Sequence, residues 1–195
     1  MTSYTAKRPV DIIGAATGLV LLSPLYLIIY AGLKLTTNGP SIFVQERIGK
    51  GGRPFNIYKF RTMIVDSESD GTPQLARTDD DRLTPFGKWL RHHHLDELPQ
   101  LWNVLRGDMS FVGYRPERQY FIDQIMALRP DYAELYQIRP GITSEATIYN
   151  GYTNTMEKMI RRLDMDLDYL HNQSAMTDAK IIAETVLNIV GGKKI

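Results

Sequence analysis

The sequence predicts an α+β fold: an N-terminal re-entrant membrane helix over residues 1–38, then a helix-rich globular domain over residues 39–195 with one small β-hairpin. Three observations lead there. No residue from Ile12 to Leu33 carries a formal charge, and Ser23-Pro24 interrupts this run at its middle. Two short β-branched and aromatic runs, 41–45 and 55–61, flank Gly49-Lys50-Gly51-Gly52. From residue 84 onward, apolar residues recur at helical rather than strand spacing.

The apolar run is preceded by Lys7-Arg8-Pro9-Val10-Asp11 and closed by Lys34. A signal peptide also starts basic, but its apolar region spans only ~7–15 residues before a small-residue cleavage site. This run is longer, and residues 35–40 offer no such site. Roughly 20 apolar residues suffice to span a bilayer as a helix, so a straight crossing is one reading. Pro24 weakens it, because proline removes a backbone hydrogen bond and clashes with the preceding turn. The helix can kink there, and the Ser23 hydroxyl can satisfy a freed carbonyl. Basic residues lie on both flanks, Lys7 and Arg8 before and Lys34, Arg47, Lys50 and Arg53 after. They give no crossing direction and tolerate both ends on one side. Re-entrant insertion is therefore favoured over a straight span.

In the globular part, the two β-rich runs joined by the glycine-rich segment read as a β-hairpin with a flexible loop. Residues 66–81 are polar and acidic, with Gly71 and Pro73, and read as a surface loop. Thr84 followed by Pro85 marks the start of a short helix through Arg91. A second runs from Leu98 to Leu105 and stops at Gly107, and a third from Arg118 to Leu128 ends before Pro130. Met156–His171 is a strongly charged helix. Thr177–Val190 carries an apolar face suited to a core, and alternatively to a bilayer, where the Lys193-Lys194 tail would meet anionic lipid.

Composition narrows the chemistry. Hydrophobic residues make up 43% and charged residues 23%, enough for a packed core. A net charge of +1 argues against a nucleic-acid partner. The absence of cysteine removes disulfides, thiolate catalysis and cysteine metal sites. No Gly-rich phosphate loop or His-Glu-x-x-His helix is present. The run His92-His93-His94 does not suit one ion if helical, because successive side chains point about 100° apart.

Asp96-Glu97 is more informative. These adjacent carboxylates lie among leucines, so some burial is expected, and a buried charge needs a cation or metal. Neighbouring residues diverge, which does not suit a glycosidase pair facing across a sugar at ~5–9 Å. Divergence suits divided labour, one carboxylate attacking and the other holding a metal. An acidic pair at a helix start is the structural alternative. Arg47, Lys50, Arg53, Lys59 and Arg61 follow one another, and Arg91, Arg106, Arg115 and Arg118 bracket the pair. Arginine suits phosphate recognition, and Mg²⁺ is commonly held by one or two carboxylates plus substrate phosphates. Together with the membrane segment, this points to phosphate chemistry at a lipid surface, with Lys59, Arg61, Arg91 and Arg115 as candidate phosphate ligands.

Lys59-Phe60-Arg61-Thr62-Met63, the block Leu95 to Ser110 and Phe111-Val112-Gly113-Tyr114-Arg115-Pro116-Glu117 resemble the bacterial sugar transferase family, the monotopic polyprenol-phosphate phosphoglycosyl transferases. The resemblance runs from Lys7-Arg8 to about Lys180, and the chain looks like the minimal single-domain form. It implies transfer of a sugar-1-phosphate from a UDP-sugar to undecaprenyl phosphate with release of UMP, an activity of EC 2.7.8 type, using Mg²⁺. It implies a ping-pong mechanism with Asp96 as nucleophile and Glu97 as metal ligand, and a phosphate-binding Arg115. It also implies Ser23-Pro24 as the membrane-helix break, Lys7-Arg8 at the membrane interface, and a place on the cytoplasmic face of the bacterial inner membrane. The cytoplasmic face agrees with the source of nucleotide-sugars. The expected partners are the donor, the polyprenol phosphate and membrane lipid, not nucleic acid; a homo-oligomer is compatible with the sequence.

The chain departs from the family pattern in three places. Tyr114 stands for the usual proline before Arg115, which is expected to free the backbone there. Ser144-Glu145 and Thr147-Ile148-Tyr149 replace commoner residues in a region expected near the donor. His92–His94 stand where many relatives have Arg, Thr or Ser.

Overall fold

The computed structural model describes residues 6–65, 67, 73–75, 80–151 and 153–191. Much of the 66–81 loop and the Lys193-Lys194 tail therefore lie outside the described residues.

The apolar segment forms two helices, α1 (Lys7–Leu21) and α2 (Ser23–Thr36), bent by 60° at the break. Among the described residues no single helix is long and apolar enough to cross a membrane alone. Pro24 sits in the first turn of α2, where a missing N–H costs no helical bond. The Ser23 hydroxyl donates to the Val20 carbonyl at 2.8 Å, satisfying one of the acceptors that the break leaves over. Val20, Leu21, Leu27 and Ile28 around the break are each about 70% exposed, an apolar tip with no protein against it.

The hairpin forms as read, with β1 (Ile42–Ile48) antiparallel to β2 (Pro54–Phe60) and Ile42 opposite Phe60. The glycine-rich connection is an ordered turn, in which Gly49 N–H donates to the Arg53 carbonyl at 2.9 Å. Helix α3 (Pro85–His92) starts at Thr84, whose hydroxyl accepts from Gly87 N–H at 2.9 Å. Helix α4 (Gln100–Arg106) ends at Gly107 with φ +98°, a left-handed cap that glycine adopts without strain. Asn103 ties α4 to the hairpin. Fully buried, it accepts from Tyr58 N–H and donates to the Asn56 carbonyl.

A second small sheet has no counterpart in the sequence reading. Strand β3 (Ser110–Val112) runs parallel to β4 (Gly141–Thr143). Between them lie α5 (Gln119–Leu128) and a 3₁₀ segment, Pro130–Gln137. Gly113 and Gly141 approach so closely that a Cβ on Gly141 would sit 2.1 Å from Gly113 N, and only glycine permits this. Three further helices follow: α6 (Glu145–Tyr149), α7 (Met156–Asn172) and α8 (Ala175–Val190). Ser144, Thr155 and Ser174 cap their N-termini.

Three apolar clusters hold these elements. The largest joins α5, the 3₁₀ segment, α7 and Ile181 of α8 around Tyr114 and Ile122. The second packs Ala15 of α1 against Ile57, Val104 and Met109. The third packs Ile29 and Leu33 of α2 against Phe60 and Leu90. The core reading of α8 holds for one side of it. Ile181 is buried, whereas Val186 and Leu187 are 53% and 69% exposed.

Candidate active site

Asp96 and Glu97 occupy a 3₁₀ turn, Leu95–Glu97, between α3 and α4. Two features aim that turn. His94 immediately before it has φ +54°, a left-handed conformation uncommon outside glycine and often found at functional sites. The flanking Leu95 and Leu98 pack against the Ile29, Leu33, Phe60 and Leu90 cluster. With both leucines held inward, the two acids face one cleft of about 500 Å³. The hydroxyl of Tyr26 on α2 donates to the Leu98 carbonyl, fixing the turn from the N-terminal helix pair.

Asp96 is buried, and Glu97 is largely so. Burial, and then the charge of Glu97, push the Asp96 carboxyl up; Lys59, Arg91 and His94 pull it down. For Glu97, burial is outweighed by Lys59 and Arg115, which hold its carboxyl below the ordinary range. The Lys59 ammonium donates to Glu97 Oε1 at 2.5 Å, and Arg115 Nη1 lies 4.0 Å from the same oxygen. The two carboxylates thus sit in unlike environments on one turn.

Each candidate phosphate ligand named from sequence lines this cleft. Lys59 extends from β2 to Glu97. Arg61 donates from Nε to the Pro40 carbonyl at 2.8 Å and lies over the Phe43 ring. Arg91 comes from the last turn of α3, and Arg115 follows β3 with its side chain 40% exposed. Of the three histidines, His92 and His93 are exposed, and His94 faces the cleft.

Lys7 and Arg8, read as interface residues, engage the protein. Lys7 is 6% exposed and donates to Asp178 and to the Tyr169 hydroxyl, so its charge is paired inside the fold. Arg8 donates to the Val104 and Leu105 carbonyls at 2.6 and 2.9 Å, satisfying the C-terminal end of α4. The backbone before Arg115 is held rather than freed. The Tyr114 side chain is fully buried, and its carbonyl accepts from Gly141 N–H at 2.9 Å.

Other cleft residues were not singled out as site residues from the sequence. Arg162 of α7, Arg47 of β1 and Glu117 after β3 meet at its floor, with Glu117 accepting from Arg162 at 2.5 Å and Arg47 at 3.2 Å. The signal available was Glu117's place beside Arg115-Pro116; nothing local marks Arg162. The cleft carries Arg47, Lys59, Arg61, Arg82, Arg91, Arg115, Arg118 and Arg162 against Asp96, Glu97 and Glu117. That surplus of cations suits a polyanionic ligand.

Among the described residues, no three acidic or histidine side chains cluster closely enough to hold a metal unaided. Mg²⁺ asks for less, because substrate phosphates and water complete its oxygen shell. The Glu97 carboxylate at the cleft suits such a shared site.

Comparison with known proteins adds a family to this geometry. The profile described as "Bacterial sugar transferase" matches residues 2–192. The chain is 41% identical over 186 residues to a UDP-N-acetylgalactosamine-undecaprenyl-phosphate N-acetylgalactosaminephosphotransferase of Aeromonas hydrophila, covering 95% of this chain and 44% of that one. It is 43% identical over 186 residues to a UDP-glucose:undecaprenyl-phosphate glucose-1-phosphate transferase of Caulobacter vibrioides, covering 94% and 69%. A Klebsiella pneumoniae protein of the latter description is 43% identical over 182 residues, covering 92% and 39%. The chain thus spans less than half the length of two of these three relatives.

Proposed function

The chain belongs to the bacterial sugar transferase family, and from that membership we propose that it transfers a sugar-1-phosphate from a UDP-sugar to undecaprenyl phosphate. The observation that carries this reading is the Asp96–Glu97 turn facing a cation-lined cleft, in a chain whose relatives are described as catalysing such transfers. The relatives' descriptions include both glucose and N-acetylgalactosamine donors, so the proposal names the UDP-sugar class only.

In the proposed reaction, an Asp96 carboxylate oxygen attacks the phosphorus that bears the sugar, and the bond to UMP breaks. The product is an acyl-phosphate joining Asp96 to the phosphosugar. A phosphate oxygen of the polyprenol phosphate then attacks that phosphorus, releasing Asp96 and forming a polyprenyl diphosphosugar. The attacking carboxylate must be ionised; burial and the charge of Glu97 raise the Asp96 carboxyl and oppose this, while Lys59, Arg91 and His94 limit the rise. Glu97 would hold Mg²⁺ together with substrate phosphates; when bound, the ion neutralises phosphate charge. Lys59, Arg61, Arg91 and Arg115 orient the phosphates.

The acceptor is a lipid, so the cleft must stand at a membrane. Residues 1–38 are proposed to dip into the bilayer as the bent α1–α2 pair and return, leaving residues 39–195 on the cytoplasmic face with the donor. The 60° bend and the exposed apolar tip support this topology.

UMP release measured with and without polyprenol phosphate tests the reading. Wild-type protein should release UMP in full only with acceptor and retain labelled phosphosugar from the donor, while Asp96→Asn does neither. Full transfer by Asp96→Asn would overturn the nucleophile assignment. Acceptor-independent turnover would mark a hydrolase instead.

A further inference from the structure

The Arg115 guanidinium is only lightly held by the protein. It is 40% exposed, and its ion pair is the 4.0 Å approach to Glu97. Its direction must therefore come from the main chain that carries it, and that main chain is fastened at each step. The Arg115 amide lies close enough to the buried Asp166 carboxyl of α7 to favour its charged form. The Pro116 carbonyl accepts from Arg47 at 3.3 Å, and the Glu117 carbonyl accepts from Ile48 N–H at 3.0 Å. Proline at 116 fixes the intervening φ.

The Glu117 side chain is the centre of this fastening. It is 5% exposed and takes Arg162 on one oxygen and Arg47 on the other. Arg162 is itself 5% exposed and comes from α7, whereas Arg47 comes from β1. Glu117 thus joins the hairpin to the C-terminal helices directly behind Arg115. A lone buried carboxylate between two arginines is costly to assemble and is a weak route to stability. Its geometry does, however, fix register.

We propose that Glu117 is a positioning residue: by pairing with Arg47 and Arg162 it sets the Arg115-Pro116-Glu117 segment so that the Arg115 guanidinium faces the Asp96–Glu97 turn. This rests on the transferase reading above. Displacing a substrate-orienting group by about 1 Å can cost ~100-fold in rate, so Glu117→Gln should lower kcat/KM for transfer on that scale. A residue acting through Arg115 should add little once Arg115 is gone.

The experiment is a double-mutant cycle of Glu117→Gln and Arg115→Ala in full-length protein, reading kcat/KM for UMP release with polyprenol phosphate. The expected result is a large loss in each single variant and no further loss in the double. Multiplying losses would show that Glu117 acts on folding or on another group, and a Glu117→Gln variant within twofold of wild type would also overturn the proposal. Where Glu117→Gln does not fold, Arg162→Lys takes its place in the same cycle, keeping the charge but losing the planar fork. Wild-type protein without acceptor-dependent UMP release would refute the transferase reading instead, so the two failures are distinguishable.

Discussion

The ion pair between Lys7 and Asp178 offers the sharpest test of how the N-terminal helix is attached. Lys7 opens α1 and Asp178 lies in the first turn of α8, so the pair joins the two ends of the chain. They are 6% and 5% exposed, and Tyr169, 1% exposed, donates to Asp178 Oδ1 at 2.6 Å. Replacing Asp178 by alanine leaves the ammonium buried without its counter-ion, which costs about 3–5 kcal/mol. For a chain of this size that corresponds to a fall in melting temperature of roughly 6–20 °C. Replacing both partners is a different perturbation, because Lys7→Met with Asp178→Leu leaves no buried charge. The double variant should recover most of the loss. Thermal melting in detergent micelles, followed by the fluorescence of the half-exposed Trp89 and Trp102, reads both effects. A loss below ~1 kcal/mol in Asp178→Ala, or a double variant no better than the single, would refute the reasoning.

Two further predictions follow from buried polar contacts. Burial, opposed by Arg162, raises the Asp166 carboxyl from 3.8 to about 7. The folded protein therefore keeps this proton where the unfolded chain has lost it, and the contribution to stability is full below about pH 4 and lost as pH rises through about 7. The difference is about 4 kcal/mol. Asp166→Asn should remove that slope in urea unfolding between pH 4.5 and 8, and an unchanged slope would rule the assignment out. Tyr26→Phe deletes the donor to the Leu98 carbonyl beside the acidic turn and should cost about 1 kcal/mol of stability. It should lower kcat with little change in donor KM, because the cleft arginines are untouched; a change confined to KM would count against it.

What could be read from the sequence was what local chemistry determines. The proline break, the glycine-centred hairpin and the helix start at Thr84 depend on neighbours a few residues away. The burial of Asp96 was likewise foreseeable from the leucines beside it, although the convergence of both acids on one cleft was not, because it depends on a 3₁₀ turn after a left-handed His94. The β3–β4 pair left no periodic signal, since each strand has three residues and their meeting depends on Gly113 and Gly141 passing at contact distance. Charged residues were the hardest to place. Helix α7 reads only as a strongly charged helix, yet Arg162 and Asp166 are buried, where Glu117 and the Arg115 amide meet them from 45 and 51 residues away. Lys7 reads as an interface cation, and its partner is 171 residues distant. A buried charge is legible only with its partner, and a long-range partner has no local signature.

The same long-range contacts make the N-terminal pair part of the site's framework. Asp11 accepts from the Ser110 hydroxyl at 3.0 Å and from Phe111 N–H at 3.1 Å, fixing β3 a few residues before Arg115. Arg8 closes the far end of α4, and Tyr26 holds the turn that precedes it. Ile29 and Leu33 form one wall of the cluster that seats Leu95 and Leu98. Helices α1 and α2 thus grip the acidic turn, α4 and the strand before Arg115 together. In the proposed topology the tip enters lipid, and the contacts of α1 and α2 with α4 and with the Leu98 carbonyl tie the acidic turn to that insertion. In that topology this grip would let the carboxylates meet a lipid-borne phosphate without the acceptor leaving the membrane.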